Sequence, residues 1–140
     1  MLYEKIDKKD KDIVFIYTTC PTVGEARDLG LSAVKDKLAV SADYWMINSI
    51  YPWDKVIQEG EQYMLMLATQ KALSEQLIKY LEIEHSYSVP VIVQCDISFT
   101  NQPYHFWADN VLSSKDEYIT ETEDEIKKKN ERGSHYDRLK

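Results

Sequence analysis

The run Tyr63-Met64-Leu65-Met66-Leu67-Ala68-Thr69 constrains this chain most. Successive side chains of a strand point to opposite faces, so a strand on a half-solvated sheet alternates apolar with polar. This run does not alternate, and neither does Ile13-Val14-Phe15-Ile16-Tyr17. Both read as central strands that need cover on both faces.

The rest of the chain can be placed around those two strands. Residues 13–19 form the first strand, closed by Cys20-Pro21. Thr22 precedes Glu25 by three residues, the capping-box pattern in which each side chain satisfies the other's free N–H. Ala26, Leu29, Gly30, Ala33 and Val34 then recur at helical spacing, predicting a helix over residues 23–38. Its small residues Gly30 and Ala33 allow close approach to a sheet. Residues 40–48 alternate as a second strand and run on to Trp53, with Pro52 marking an edge or bent strand. Asp54-Lys55 reads as a tight turn or bulge, Val56-Ile57-Gln58 resumes the strand, and Glu59-Gly60-Glu61 turns the chain back into a third strand at 62–69. Leu73, Leu77, Tyr80 and Leu81 stripe a second helix, Lys71–Glu84, with Ser74 on the water face and His85 at its end. Pro90 opens a fourth strand at 91–97. Asn101 or Gln102 caps a last helix, with Pro103 in its first turn and Tyr104, Trp107, Ala108 and Val111 as its stripe.

This order is β-α-β-β-α-β plus one helix, an α+β chain of the ferredoxin-like type. Right-handed crossovers put the two main helices on one face of a four-stranded sheet, with strands one and three central. The other face would lie in water. At about 25 cal/mol per Å² of apolar surface, several kcal/mol would then go unrealised. The expectation is therefore an oligomer with sheets packed on sheets.

At 140 residues the chain reads as one domain over 13–112. A charged extension at 1–12 precedes it and a polar, flexible tail at 113–140 follows. In the tail Glu123, Asp124 and Glu125 each stand four residues before a lysine. Such pairs support a marginal helix, but little apolar surface offsets ordering, so a frayed tail is expected. Asp and Glu number 24 against 17 Lys and Arg. The two ends are nearly balanced, so the excess lies in the middle. That argues against nucleic acid, which needs a basic footprint, and against an anionic membrane surface. No apolar run is long enough to span a bilayer, no signal-peptide pattern is present, and Cys20 and Cys95 fit reduced thiols. A cytoplasmic protein is expected.

Three segments also resemble a known family. Ile13-Val14-Phe15-Ile16-Tyr17-Thr18, Ser49-Ile50-Tyr51-Pro52-Trp53-Asp54-Lys55-Val56 and His85-Ser86-Tyr87-Ser88-Val89-Pro90 follow the order and spacing of the CutA divalent-cation tolerance proteins. The resemblance covers residues 12–112. It implies a ferredoxin-like fold, a tight homotrimer, an architecture similar to the PII signalling proteins, and a link to copper tolerance without a settled enzymatic activity. The family's middle motif typically reads S-x-Y-x-W-x-G-K-[IV] and its late motif H-P-Y-x-x-P-E. Here the glycine is missing, Ser86 replaces the first proline and Val91 stands where the glutamate would be. The family's proposed metal site draws on a strand-one cysteine, the late histidine and that glutamate. Only His85 matches directly. Tyr17 occupies the cysteine position, and Cys20 lies three residues on.

The candidate residues each carry a plain and a functional reading. His85 is either a helix-terminal residue favoured by the helix dipole or, with Cys20, a ligand for copper or another divalent metal. Tyr51, Trp53 and Tyr87 are interface aromatics or, with Lys55, the lining of an inter-subunit cleft that holds a small ligand. His105 reads as a surface residue, and His135 in the tail carries no assignment. Cys20 and His85 also make a conceivable nucleophilic pair. No P-loop, G-x-S-x-G, HExxH or dinucleotide loop is present. Two readings follow. One is a non-enzymatic trimer in divalent metal-ion response or small-ligand signalling. The other is a stable trimeric scaffold that recruits a protein partner through its C-terminal tail.

Overall fold

The computed structural model describes residues 8–131. The first part of the charged extension, the end of the tail and His135 lie outside the described residues. A short 3-10 turn at Lys8–Lys11 leads into β1 (Ile13–Cys20), α1 (Val23–Lys35), β2 (Ser41–Trp53), β3 (Val56–Gln70), α2 (Lys71–Glu84), β4 (Ile92–Asp96), α3 (Gln102–Ser113) and α4 (Glu123–Glu131). The sheet order is β2-β3-β1-β4, antiparallel throughout. The two apolar strands are therefore the central pair, as their lack of alternation requires.

The α1/α2 face holds the larger core. Ile16 and Cys20 of β1 and Leu65 and Leu67 of β3 pack with Ala26, Leu29 and Ala33 of α1 and with Leu77 and Leu81 of α2. Ser74, expected in water, is buried, and its hydroxyl donates to the Lys71 carbonyl at 2.8 Å, which satisfies it at no cost to packing. Gly30 meets the sheet closely enough that a Cβ there would lie 2.8 Å from Ala42 Cβ.

The opposite face corrects one expectation. It is not left wholly to neighbours, because α3 folds back onto it. Ala108, Tyr104, Val111 and Leu112 pack on Ile13, Phe15, Val40 and Ala68. The Asp109 carboxylate pins the helix, accepting from buried Gln70 at 2.9 Å and lying 3.4 Å from Lys11. The Gln70 amide, then Lys11, holds Asp109 below the usual carboxylate range, against the opposing effect of burial. Beyond α3's reach, Tyr17, Met64 and Met66 on the same face are only half-buried, and Trp45 beside Met64 is exposed.

The expected reversal at Glu59-Gly60-Glu61 is also corrected by the structure. Glu59, Gly60 and Glu61 lie inside β3, paired with Ile50, Ser49 and Asn48. The chain reverses at Asp54-Lys55, where both φ angles are positive, 52 and 66. Two consecutive left-handed residues match the primed turns whose twist suits a two-residue hairpin. β1 pairs only with the Tyr63–Gln70 part of β3, so the outer half of the β2–β3 hairpin projects as a two-stranded arm. Along it Ile50, Trp53, Val56 and Ile57 are exposed.

The segment after Ser113, expected to fray, contains α4. Thr122 and Glu125 form a reciprocal capping box there, with N–H to side-chain distances of 3.3 and 3.2 Å. Before it, Lys37 donates to the Ser114 carbonyl and sits 5.5 Å over the Tyr118 ring, tying this segment to the end of α1.

Candidate functional site

Three elements end or begin at one pole of the sheet. Cys20 is the last residue of β1 and faces the helices. Glu25 lies in the first turn of α1. His85 is the C-cap of α2, its N–H donating to Leu81. Their thiol, carboxylate and imidazole place one donor atom each within 4.8 Å of one another. The structure thus brings together the sequence-derived pair Cys20 and His85, and adds Glu25.

The His85 side chain has no exposed surface, and both of its nitrogens are engaged. Nε2 lies 2.9 Å from the Thr19 carbonyl and 3.0 Å from Thr18 Oγ1. A carbonyl only accepts, so Nε2 carries the proton. Nδ1 accepts from the Tyr87 backbone N–H at 3.0 Å. That assignment follows from the hydrogen-bond pattern, and it leaves Nδ1 unprotonated. The 3.7 Å approach of the Glu25 carboxylate to Nδ1 is then not a charged pair in this state. His85 is neither a free helix-end charge nor a ready ligand. It ties the end of β1 to the loop after α2.

Glu25 escaped notice in the sequence because it looked like half of a cap. Thr22 Oγ1 does accept from the Glu25 N–H at 3.1 Å. The carboxylate, however, turns away from Thr22, toward the Ser86 N–H at 3.4 Å and toward His85. Burial, with the Glu25 carboxylate adding to it, pushes the Cys20 thiol up to about 12. It is held as a thiol, which argues against nucleophilic work with His85. The donor types nonetheless fit a divalent ion of borderline softness, which takes sulfur, imidazole and carboxylate together. Loading requires the thiol to lose its proton and Nδ1 to give up the Tyr87 N–H.

Next to this cluster lies a cleft of about 560 Å³ between the arm and the loop after α2. That is within the usual size for a small-molecule site. Tyr51, Trp53 and Tyr87 line it with Val89 and Val91, and Thr19, Ser49 and Gln62 supply its polar edge. Tyr87 donates its hydroxyl to Gln62 at 3.0 Å, and its ring lies 5.1 Å from the His85 ring. Burial raises the Tyr87 phenol above its ordinary value, with Tyr51, Cys20 and Glu25 contributing. Among the described residues none that lines the cleft is charged. Lys55 stands apart, in the turn at the arm's tip. Val91 lends the cleft an apolar wall. Tyr17 pairs with Val93 and Met66 in mid-sheet. Nothing in the strand pattern singles out Gln62 or Thr19, because a polar residue on a half-covered face is ordinary.

Residues 14–111 match the sequence model of the CutA1 divalent ion tolerance protein family. The chain belongs to the CutA1 family. It is 29% identical over 105 residues to human Protein CutA, covering 74% of this chain and 59% of that one. It is 27% identical over 95 residues to the divalent-cation tolerance protein CutA of Pyrococcus horikoshii, covering 68% and 93%. The chain thus spans little more than half the length of the mammalian relatives it matches. Among solved structures, CutA1 of Ehrlichia chaffeensis superposes with a TM-score of 0.72 at 24% identity, covering 77% of this chain and 100% of that one. CutA1 of Pyrococcus horikoshii does so with a TM-score of 0.68 at 26% identity, covering 70% and 96%. Among the described residues, no helix is long and apolar enough to cross a membrane.

Proposed function

We propose that this CutA1-family chain is a non-enzymatic, cytoplasmic homotrimer that responds to divalent cations. Cys20, Glu25 and His85 would hold the ion, and the Tyr51–Trp53–Tyr87 cleft would hold a small ligand. Residues 13–112 carry this function, with 1–12 and 113–140 as appendages. The supporting observation is the convergence of a thiol, a carboxylate and an imidazole within 4.8 Å at one pole of the sheet. Copper is the favoured ion, since sulfur with imidazole suits it. A bound ion would supply fixed positive charge that the two buried donors, Cys20 and His85, and the part-exposed Glu25 recognise. The trimer draws support from the half-covered sheet face and from the exposed Trp45, Ile50, Trp53 and Ile57 of β2 and the arm.

Calorimetric titration with Cu(II) and Zn(II) tests the cation part. Saturable binding of one ion per chain is expected, weakened about tenfold or more by Cys20→Ser or His85→Ala. Cys20→Ser is the milder variant, should loss of His85 unfold the chain. Equal affinity in wild type and both variants would remove the cluster from the reading. Native mass spectrometry at micromolar concentration tests the trimer, and a folded monomer there would refute it.

One observation favours a second reading, a scaffold that recruits a partner through its tail. Ile119 is 89% exposed beside a capped helix, with Ile126 part-exposed on that helix. Deleting residues 114–140 separates the two readings. Cation and ligand binding survive the deletion under the first, and partner capture is lost under the second.

A further inference from the structure

The loop after α2 is held to the buried cluster by lone pairs that a cation would also use. The Tyr87 N–H points at His85 Nδ1, the only ring nitrogen with a lone pair once Nε2–H faces the Thr19 carbonyl. The neighbouring Ser86 N–H reaches Glu25 Oε2. A carboxylate has lone pairs to spare, whereas Nδ1 has one. It cannot accept from the Tyr87 N–H and bind an ion at once.

Tyr87 is also a wall of the cleft. Its phenol donates to Gln62, on β3 where the arm begins, and its ring stacks at a tilt against His85. The backbone of this one residue is therefore fixed by the cluster while its side chain shapes the cleft. A cation on Nδ1 would sit about 2 Å out along that same lone pair, between the ring and the Tyr87 nitrogen that lies 3.0 Å from it. Its arrival would displace the Tyr87 backbone, and with it the aromatic wall.

We propose that the Cys20–Glu25–His85 cluster and the aromatic cleft are antagonistic sites coupled through Tyr87. Occupation of the cluster opens the cleft wall, and occupation of the cleft holds the Tyr87 N–H on Nδ1. This rests on the cation-binding reading of the cluster. The coupling is reciprocal, since each ligand must change the other's affinity by the same factor.

The test uses the full chain with Trp45→Phe and Trp107→Phe, so that Trp53 is the sole tryptophan. Zinc is the cluster probe. The dye anilinonaphthalene sulfonate is the cleft probe, followed by energy transfer from Trp53. Saturating zinc is expected to weaken the dye about fivefold or more, and saturating dye to weaken zinc equally. Tyr87→Ala should bring that factor close to one. Tyr87→Phe, which keeps the N–H and the ring but cuts the link to Gln62, should give a smaller factor than wild type. If both probes bind and neither shifts the other, the coupling is refuted and the cation reading stands. If zinc does not bind, both fall. Dye that draws no energy from Trp53 refutes the cleft, and with it the coupling. Full coupling in Tyr87→Ala, or in Tyr87→Phe if the alanine variant does not fold, removes Tyr87 as the link.

Discussion

Gly30→Ala sets two effects against each other with known signs. Alanine is the better helix residue, by about 0.5–1 kcal/mol. The new methyl, however, would sit 2.8 Å from Ala42 Cβ and 3.2 Å from Leu65 Cδ1, whereas carbons rest at roughly 3.5–4.0 Å. Leu65 can turn only within a fully buried site, and Ala42 Cβ is fixed to the backbone of β2. Helix α1 must therefore lift from the sheet. Overpacking of this kind costs about 1–3 kcal/mol, which outweighs the helix gain. We expect a net loss of about 1–2 kcal/mol, read as a lower urea midpoint with unchanged slope at fixed protein concentration. Lifting α1 also draws Glu25 away from His85, so zinc affinity should fall in the same variant. Ala42→Gly removes the methyl that is struck. The double variant should then be more stable than the sum of the singles by more than about 0.5 kcal/mol. An additive cycle, or a Gly30→Ala chain as stable as wild type, would refute the close-contact account.

Further expectations follow from the other sites. Lys55 holds φ at 66 in the hairpin turn, so Lys55→Gly should stabilise the chain by about 0.5–1 kcal/mol in urea unfolding, and a loss would contradict the turn geometry. With its thiol pushed up to about 12, native Cys20 should resist iodoacetamide near pH 8 while half-buried Cys95 reacts. Mass spectrometry that finds both modified equally fast would contradict the burial. Asp109 has a lowered pKa in the fold, so its contribution is present above the ordinary carboxylate value and lost as pH falls through the lowered one. Asp109→Asn, which can still accept from Gln70, should therefore lose less stability than wild type between about pH 6 and pH 3. An identical pH dependence would show that the carboxylate charge does not hold α3.

Much of this architecture could be read from residue pattern, because the pattern is set by burial. Central strands must lack alternation, and β1 and β3 do; α2 begins and ends where its stripe and His85 placed it. Asp54-Lys55 is the turn that the sequence offers as a turn or bulge, and only the reversal expected at Glu59-Gly60-Glu61 is absent, for a local reason. Gly60 is permissive anywhere, and Asp54-Lys55 lacks the glycine that usually marks a primed turn. The cover given by α3 was missed because a modest stripe says nothing about which face it will find. Cys20 and His85 could be suspected from their chemistry and position. Glu25 could not, since its spacing from Thr22 already had a sufficient local explanation, and only the three-dimensional approach of α1 to the end of α2 gives its carboxylate another purpose.

The length of the β2–β3 hairpin has a consequence of its own. Beyond the last partner of β1, the ladder continues from Ile47–Gln62 pairing out to Trp53–Val56 with no further strand paired to it among the described residues. Ribbons two strands wide are at best marginal in water. The order of this outrigger therefore depends on what leans against it. If the proposed self-association covers it, its amide protons should exchange quickly in dilute solution and slowly at high protein concentration, so the ribbon would report on that association.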